Sequence, residues 1–165
     1  MIPRAYRNLA LLLCMAVFCS LLLAQTGKTI TLRMLNGKTG KLIETSYFMV
    51  RVDHQETVHA DWVVQNENGT GKLTVPKGAS LLLIQATYDS ATQIYVNCDS
   101  TSQKEDPVGH WYSIAEILAS GVVAPNGCVK PKEAAKLKPA VKPGEFVFFV
   151  RTRNWREQAQ DFSSR

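Results

Sequence analysis

In "TITLRML" the apolar residues Ile30, Leu32 and Met34 alternate with Thr31 and Arg33, the period-two pattern of a strand with one face inward. "NGKTG" then reads as a turn. "YFMVRVD" repeats the alternation, with Phe48, Val50 and Val52 on one face and Tyr47, Met49 and Arg51 on the other. "TVHADWVVQ" is a weaker strand. In "NENGTGKLTVPKGASLLLIQA", Asn68-Gly69 supplies a turn, "KLTV" a short strand, Pro76-Lys77-Gly78 a second turn, and "SLLLIQATY" a longer buried strand. "TQIYVNC" adds a strand that carries Cys98 at its end, and "DSTSQKEDPVG" is a polar loop. "EFVFFVRTR" is the last strand, with Phe146, Phe148 and Val150 on its inward face.

One segment changes period. Around residues 113–120, Ile114, Ile117 and Leu118 recur at helical spacing. Ser113 and Glu116 fit the S-x-x-E capping box, and Gly121 sits where a left-handed C-terminal residue is wanted. About six to eight short strands and one short helix predict an all-β, antiparallel β-sandwich of immunoglobulin-like or related type. "VKPKEAAKLKPAVKPG", within 129–144, reads as a Lys/Pro-rich surface loop or linker, and residues 154–165 as a fraying polar tail.

The first residues bear on the compartment. Arg4 and Arg7 precede an apolar run from Leu9 to Ala24, the order of a signal peptide, with cleavage expected after Ala24. Residues 25–153 then form one β-sandwich domain in a secreted or periplasmic protein. The run falls short of the ~20 residues of a spanning helix; a retained N-terminal membrane anchor is the alternative, and lipid modification at Cys19 is another. Without Arg4 and Arg7, 17 basic side chains face 14 acidic ones, a mild excess that compels no nucleic-acid partner. Beyond the leader only Cys98 and Cys128 remain. In an oxidising compartment an even pair is most simply one disulfide; two free thiols or two metal ligands are the alternatives.

The turns carry a resemblance. Asn36-Gly37-Lys38-Thr39-Gly40-Lys41-Leu42-Ile43, and later Asn66, Asn68, Gly69, Leu73, Val75, Pro76 and Gly78, are similar to the two turn motifs of carboxypeptidase regulatory-like, prealbumin (transthyretin)-like modules. Leu42 stands where that family usually has proline. The resemblance covers Ile30 to Ala86 and implies a prealbumin-like sandwich in an accessory or binding role; it supplies no catalytic residues. The remainder, from "WYSIAEILASGVVAPNGC" to "EFVFFVRTR", resembles exported bacterial proteins that carry such a domain.

Candidate chemistry is sparse. His54, His59 and Asp61, with Asp53 and Glu56 nearby, are the residue types that hold Zn²⁺ or support hydrolysis. Their spacing matches no ligand motif, and a solvated loop is the plainer reading. His110 precedes the helix, and Ser113 is better used as its cap than as a nucleophile. Trp62, Trp111, Tyr112 and Trp155 are the candidate ligand-binding aromatics, for sugar stacking, against the alternative of core or rim packing. Lys130, Lys132, Lys136, Lys138 and Lys142 suit an anionic envelope surface; without interleaved aromatics they do not suit nucleic acid. Asn68-Gly69-Thr70 is a glycosylation sequon in a eukaryotic pathway and turn chemistry otherwise. The expectation is a non-catalytic module, without cofactor, that binds an envelope protein or glycan. A carbohydrate-binding module comes second, and a metal-binding or hydrolytic protein third.

Overall fold

The structure is a computed structural model of the chain and describes residues 27–43, 47–54, 63–65, 69–89, 92–103, 109–152, 154–157 and 159. The leader expected at 1–24, the end of the tail, and Trp62, His59, Asp61 and Asn68 lie outside the described residues. The strands are β1 (Lys28–Asn36), β2 (Tyr47–Val52), β3 (Val63–Gln65), β4 (Thr70–Val75), β5 (Leu81–Asp89), β6 (Thr92–Val96), β7 (Trp111–Ser113), β8 (Val122–Val123) and β9 (Glu145–Thr152). Helix α1 (Ile114–Ser120) lies between β7 and β8, and helix α2 (Pro131–Lys136) between β8 and β9. Among the described residues no helix is long and apolar enough to cross a membrane.

The strands run in the order β3-β2-β5-β6-β9-β1-β4, and β6 is where the order folds over. Its first half pairs with the end of β5, Gln93 opposite Tyr88. Its second half pairs with the end of β9, Val96 opposite Val150. One strand therefore serves two sheets, the way corners form in packed sheets. At the other end of the same edges, β7 pairs with the start of β5 (Ser113 opposite Leu81) and β8 with the start of β9 (Val122 opposite Phe146). Helix α1, between them, spans from one sheet to the other and closes the side that β6 leaves open.

The core lies between the sheets. Ile30, Leu32 and Met34 of β1 meet Val50 and Val52 of β2, Leu73 and Val75 of β4, Leu82 and Ile84 of β5, and Phe146, Phe148 and Val150 of β9. Ile114 and Ile117 of α1 join the same cluster. The alternation read in β1, and in β2 at Val50 and Val52, is thus the inward face. Strand β9 departs from the expectation, because its other face is buried too: Val147 and Phe149 pack with Leu35 under Cys98, Val123 and Val141. It lies between β1 and the β6–β8 edge, and the chain after β8 crosses its outer face. A strand buried on both sides reads as a continuous apolar run, which is what "FVFFV" is.

The Lys/Pro segment is therefore not a free loop, and the expected single helix becomes two. Pro131 stands at the start of α2, Glu133 in its first turn and Lys136 in its last, each suited to its helix end. Arg33 on β1 fixes the segment's return by donating to the Ala140 carbonyl at 3.1 Å, with Glu145 at 3.5 Å. In α1 the Glu116 N–H donates to Ser113 Oγ, as the capping motif predicted. Gly121 is needed for another reason than expected. Its φ of 76° and ψ of 155° are extended rather than left-handed helical, a region essentially confined to glycine.

The turns at Asn36 and Pro76 hold as read. Asn36 Oδ1 accepts from the Lys38 and Thr39 N–H groups at 3.0 and 3.1 Å. Ala79 donates to the Pro76 carbonyl across Lys77-Gly78. At the chain's end the tail begins with a reciprocal turn, Asn154 N–H to Glu157 Oε2 and Glu157 N–H to Asn154 Oδ1, and Glu157 accepts two bonds from Arg151 at 2.7 and 2.8 Å.

Candidate functional site

The turn that follows β6 is strained. Asn97 and Cys98 both take positive φ, 53° and 62°, a conformation few non-glycine residues adopt, though asparagine is among the most tolerant. Strain of this kind persists only where surrounding contacts hold it. Here they do: Asn97 N–H donates to the Phe149 carbonyl, and its own carbonyl accepts from Gly127 N–H. Cys98 is bridged to Cys128, 30 positions further along the chain, with Cα atoms 5.1 Å apart. The bridge expected from the cysteine count is present, with Cys98 two residues past the strand rather than in it. Cys128 is positioned in turn by Asn126, whose Oδ1 accepts the Cys128 N–H while its Nδ2 donates to the Gly37 carbonyl at 2.7 Å.

Asp99 comes next. Its carboxylate accepts from Thr101 N–H at 2.9 Å and Thr101 Oγ1 at 2.8 Å, and lies 3.1 Å from His110 Nε2. The Thr101 N–H foremost, then its hydroxyl and His110, hold the Asp99 carboxyl below the usual carboxylate range, against the opposing effect of burial. An ionised carboxylate only accepts hydrogen bonds. His110 Nε2 is therefore the donor in that contact.

His110 is 6 % exposed and sits between Gly109 and β7, which aligns it beside Asp99. Two residues on, Tyr112 packs its ring 4.6 Å from Phe146 of the core and accepts at Oη from Asn97 Nδ2 at 2.8 Å. Burial pushes the Tyr112 phenol up to about 12, and the Asn97 bond opposes that rise. Two buried atoms in this group have no hydrogen-bond partner, Asn97 Oδ1 and His110 Nδ1. Such an atom costs about 1–3 kcal/mol. Both belong to residues lining a cleft of about 490 Å³, whose far wall is Pro125 and Gly127 beside the disulfide.

The residues singled out from the sequence are placed elsewhere. His54 is exposed on the turn after β2, its ring 4.0 Å from that of Trp111. Asp53 faces the chain rather than a ligand, accepting from Ser80 and Leu81 N–H at 2.8 Å each. Among the described residues no group of three or more His, Cys, Asp or Glu side chains could hold a metal ion. Trp111 is half-buried, with the Arg51 guanidinium 5.9 Å from its ring centre. Trp155 is 73 % exposed and has Arg156 over its ring at 5.2 Å. These two tryptophans sit toward opposite ends of β5, because β7 pairs with its start and Trp155 follows the β9 end that β6 ties to its finish. They form no common platform. Lys130, Lys132, Lys136, Lys138 and Lys142 are all exposed, along α2 and its flanks.

The sequence does not bring Asn97, Asp99, His110 and Tyr112 together as one group. Its available signals were the Asp-x-Thr turn directly after Cys98 and a histidine set between a glycine and two aromatics. Compared with protein-family models, with curated proteins and with solved structures, the chain finds no significant match in any of the three.

Proposed function

We propose that this chain is an exported, non-catalytic binding module of the cell envelope, and that its recognition site is the cleft at Asn97, Asp99, His110 and Tyr112. The observation that carries the reading is a pair of unpartnered buried atoms, Asn97 Oδ1 in a strained turn held by a disulfide and His110 Nδ1 just before β7, both in residues that line the cleft. Polar side chains fixed in place around a cleft are what orient a small molecule. The disulfide supports export to an oxidising compartment. The lining offers a carboxylate, an imidazole, a phenol and an amide, and its cysteine is consumed in the bridge. That set suits holding a ligand more than attacking one.

Within β-sandwiches, the pairing supports the prealbumin, carboxypeptidase regulatory-like type over the immunoglobulin type. In the immunoglobulin constant fold the first, second, fourth and fifth strands share a sheet. Here the first strand pairs with the fourth and the last, and the second with the third and fifth. The exposed lysines of α2 and its flanks support a second contact, with an anionic envelope surface.

The test is a fragment screen read by amide chemical shifts on the disulfide-intact protein. Saturable shifts confined to Asn97, Asp99, His110 and Tyr112 are expected. Turnover of an ester or amide substrate that disappears in His110→Gln would overturn the non-catalytic reading, because Asp99–His110 would then be acting as a general base. The exposure of Trp155 favours carbohydrate binding as the second reading; glycan-array signal lost in Trp155→Ala would establish it.

A further inference from the structure

A second cavity, of about 520 Å³, lies between α2 and the outer face of β9 and shares only Pro125 and Gly127 with the cleft at Asn97. Its size is that of a small-molecule pocket, roughly 300–1,000 Å³. Phe149 and Ala124 line it, 1 % and 2 % exposed, with Val123 half-buried beside them. On the other side the lining is Pro131, Ala134, Ala135 and Lys138, positions three and four apart that fall on one face of the helix and its continuation. Alanine brings one methyl group where a leucine would fill the gap, so space remains between helix and sheet. The polar groups of the lining are largely spent. Asn126 accepts the Cys128 N–H and donates to the Gly37 carbonyl. The N–H groups of Ala124, Gly127 and Ala134 donate to the Val147, Asn97 and Lys130 carbonyls. Among the described lining residues the remaining polar side chain is Lys138, which is exposed.

Water in such a space finds few partners, and displacing poorly held water with an apolar group gains affinity. A sugar or a peptide would bring hydroxyls or amides against valine, alanine and phenylalanine, and desolvating them there is costly. A hydrocarbon chain brings none. The surrounding charge sets the other end of the ligand. Residues 129–144 hold five lysines and one glutamate. All five lysines are exposed, and none pairs with a carboxylate among the described residues. We infer that this cavity takes a free single-chain anionic amphiphile of fatty-acid type. Its alkyl chain lies between α2 and Phe149, and its carboxylate is held at the rim by Lys138. The inference does not rest on the cleft at Asn97. It differs from contact of the lysines with a flat envelope surface in requiring one chain enclosed by each protein molecule.

The experiment titrates the full-length, disulfide-intact protein with octanoate, decanoate, octanol and octylammonium, each below its micelle concentration, and separately with vesicles of an anionic phospholipid. Binding is read from the amide resonances of Val123, Ala134 and Ala135 and the ring resonances of Phe149. Octanoate should saturate these signals. Decanoate should bind roughly tenfold tighter, as two further buried methylenes provide. Octanol should bind about two- to fivefold more weakly than octanoate, the size of one exposed charge pair, and octylammonium more weakly again. Ala134→Leu fills the cavity and should weaken octanoate at least roughly tenfold, through the loss of two or more buried methylenes. Ala135→Leu, at an exposed position that the fold tolerates, should act in the same direction. Lys138→Gln, also on an exposed side chain, should abolish the preference for octanoate over octanol and leave octanol binding unchanged. Equal binding of octanoate and decanoate, octylammonium binding as tight as octanoate, or octanoate affinity unchanged in both leucine variants would overturn the inference. Vesicle binding with no response to the alkyl carboxylates would overturn it too, and the lysines would then make a surface contact only. Silence from every probe has the same consequence for the cavity.

Discussion

Replacing Gly37 with alanine should strain the molecule through the disulfide. Gly37 is buried at the end of β1, where its N–H donates to the Val150 carbonyl and its own carbonyl accepts from Asn126. A β-carbon added there would stand 2.7 Å from Cys128 Cβ and 2.7 Å from Cys98 Sγ, with Cys128 Sγ closer still. Carbon and sulfur rest comfortably near ~3.5–4 Å, so the turn or the bridge must give by about 1 Å. A bridged sulfur is tethered from both ends and cannot swing aside as a free side chain does. Overpacking of this kind costs about 1–3 kcal/mol, and the upper end is expected. Where no clash exists, Gly→Ala stabilises by about 0.4–1 kcal/mol through the unfolded chain. The assay is urea denaturation of four proteins: the parent, Gly37→Ala, Cys98→Ala with Cys128→Ala, and the triple variant. Removing both sulfurs should itself cost about 3–4 kcal/mol, the loop-closure value for a bridge of this span. In that background the Gly37→Ala penalty should fall below about 1 kcal/mol, a coupling of ~1–2 kcal/mol. An equal penalty in both backgrounds, or none in the parent, would refute the reasoning.

Three further outcomes follow from the same contacts. Tyr112 should ionise near 12 rather than 10, read at 295 nm. Its raised value means the unfolded chain loses that proton first, so stability is intact below about pH 10 and falls by roughly 2–3 kcal/mol as pH rises toward 12; Tyr112→Phe should flatten that decline. Asp53→Ala strands the Ser80 and Leu81 N–H groups and should cost about 1–3 kcal/mol in thermal or urea unfolding, while zinc added to the parent leaves the transition in place. Phe148→Ala, fully buried between the sheets, should cost about 3–5 kcal/mol, and a loss under 1 kcal/mol would mean the core closes differently.

Legibility in the sequence tracked how local each determinant is. The inward face of β1, the cap of α1 and the Asn36 turn depend on residues within a few positions of one another, so alternation, S-x-x-E and Asn-Gly sufficed. Strand β9 was recognised, but only one face was assigned inward. The run from Phe146 to Val150 is apolar at every position, and what covers Val147 and Phe149 is Val123, Val141 and Cys98, which no periodicity within β9 reports. Helix α2 hid in a lysine- and proline-rich composition, although Pro131 and Glu133 are well suited to a helix start. The cleft was least legible. Asp99 and His110 are separated by a polar loop, and they meet because β6 and β7 reach the same edge of β5. Hydrophobic pattern says which residues are inside; it does not say which polar residues become neighbours.

The cleft also lies where this topology is weakest. Strand β6 leaves one sheet for the other, and the turn at its end, Asn97 to Asp99, lies beyond the ladder of both. Asp99 N–H donates locally to the Val96 carbonyl, but both backbone groups of Asn97 find their partners through long-range bonds, to Phe149 and Gly127. Left alone, such a turn would relax, and the positive φ of Asn97 and Cys98 with it. The disulfide, Gly37 against its sulfurs, and Asn126 tied to both Gly37 and Cys128 prevent that relaxation. Two orphaned buried polar atoms, Asn97 Oδ1 and His110 Nδ1, cost about 1–3 kcal/mol each, and the bridge contributes about 3–4 kcal/mol. The constraint and the cost are of the same order and sit side by side, so the disulfide's main consequence is to hold the strained turn and its unsatisfied atoms in place.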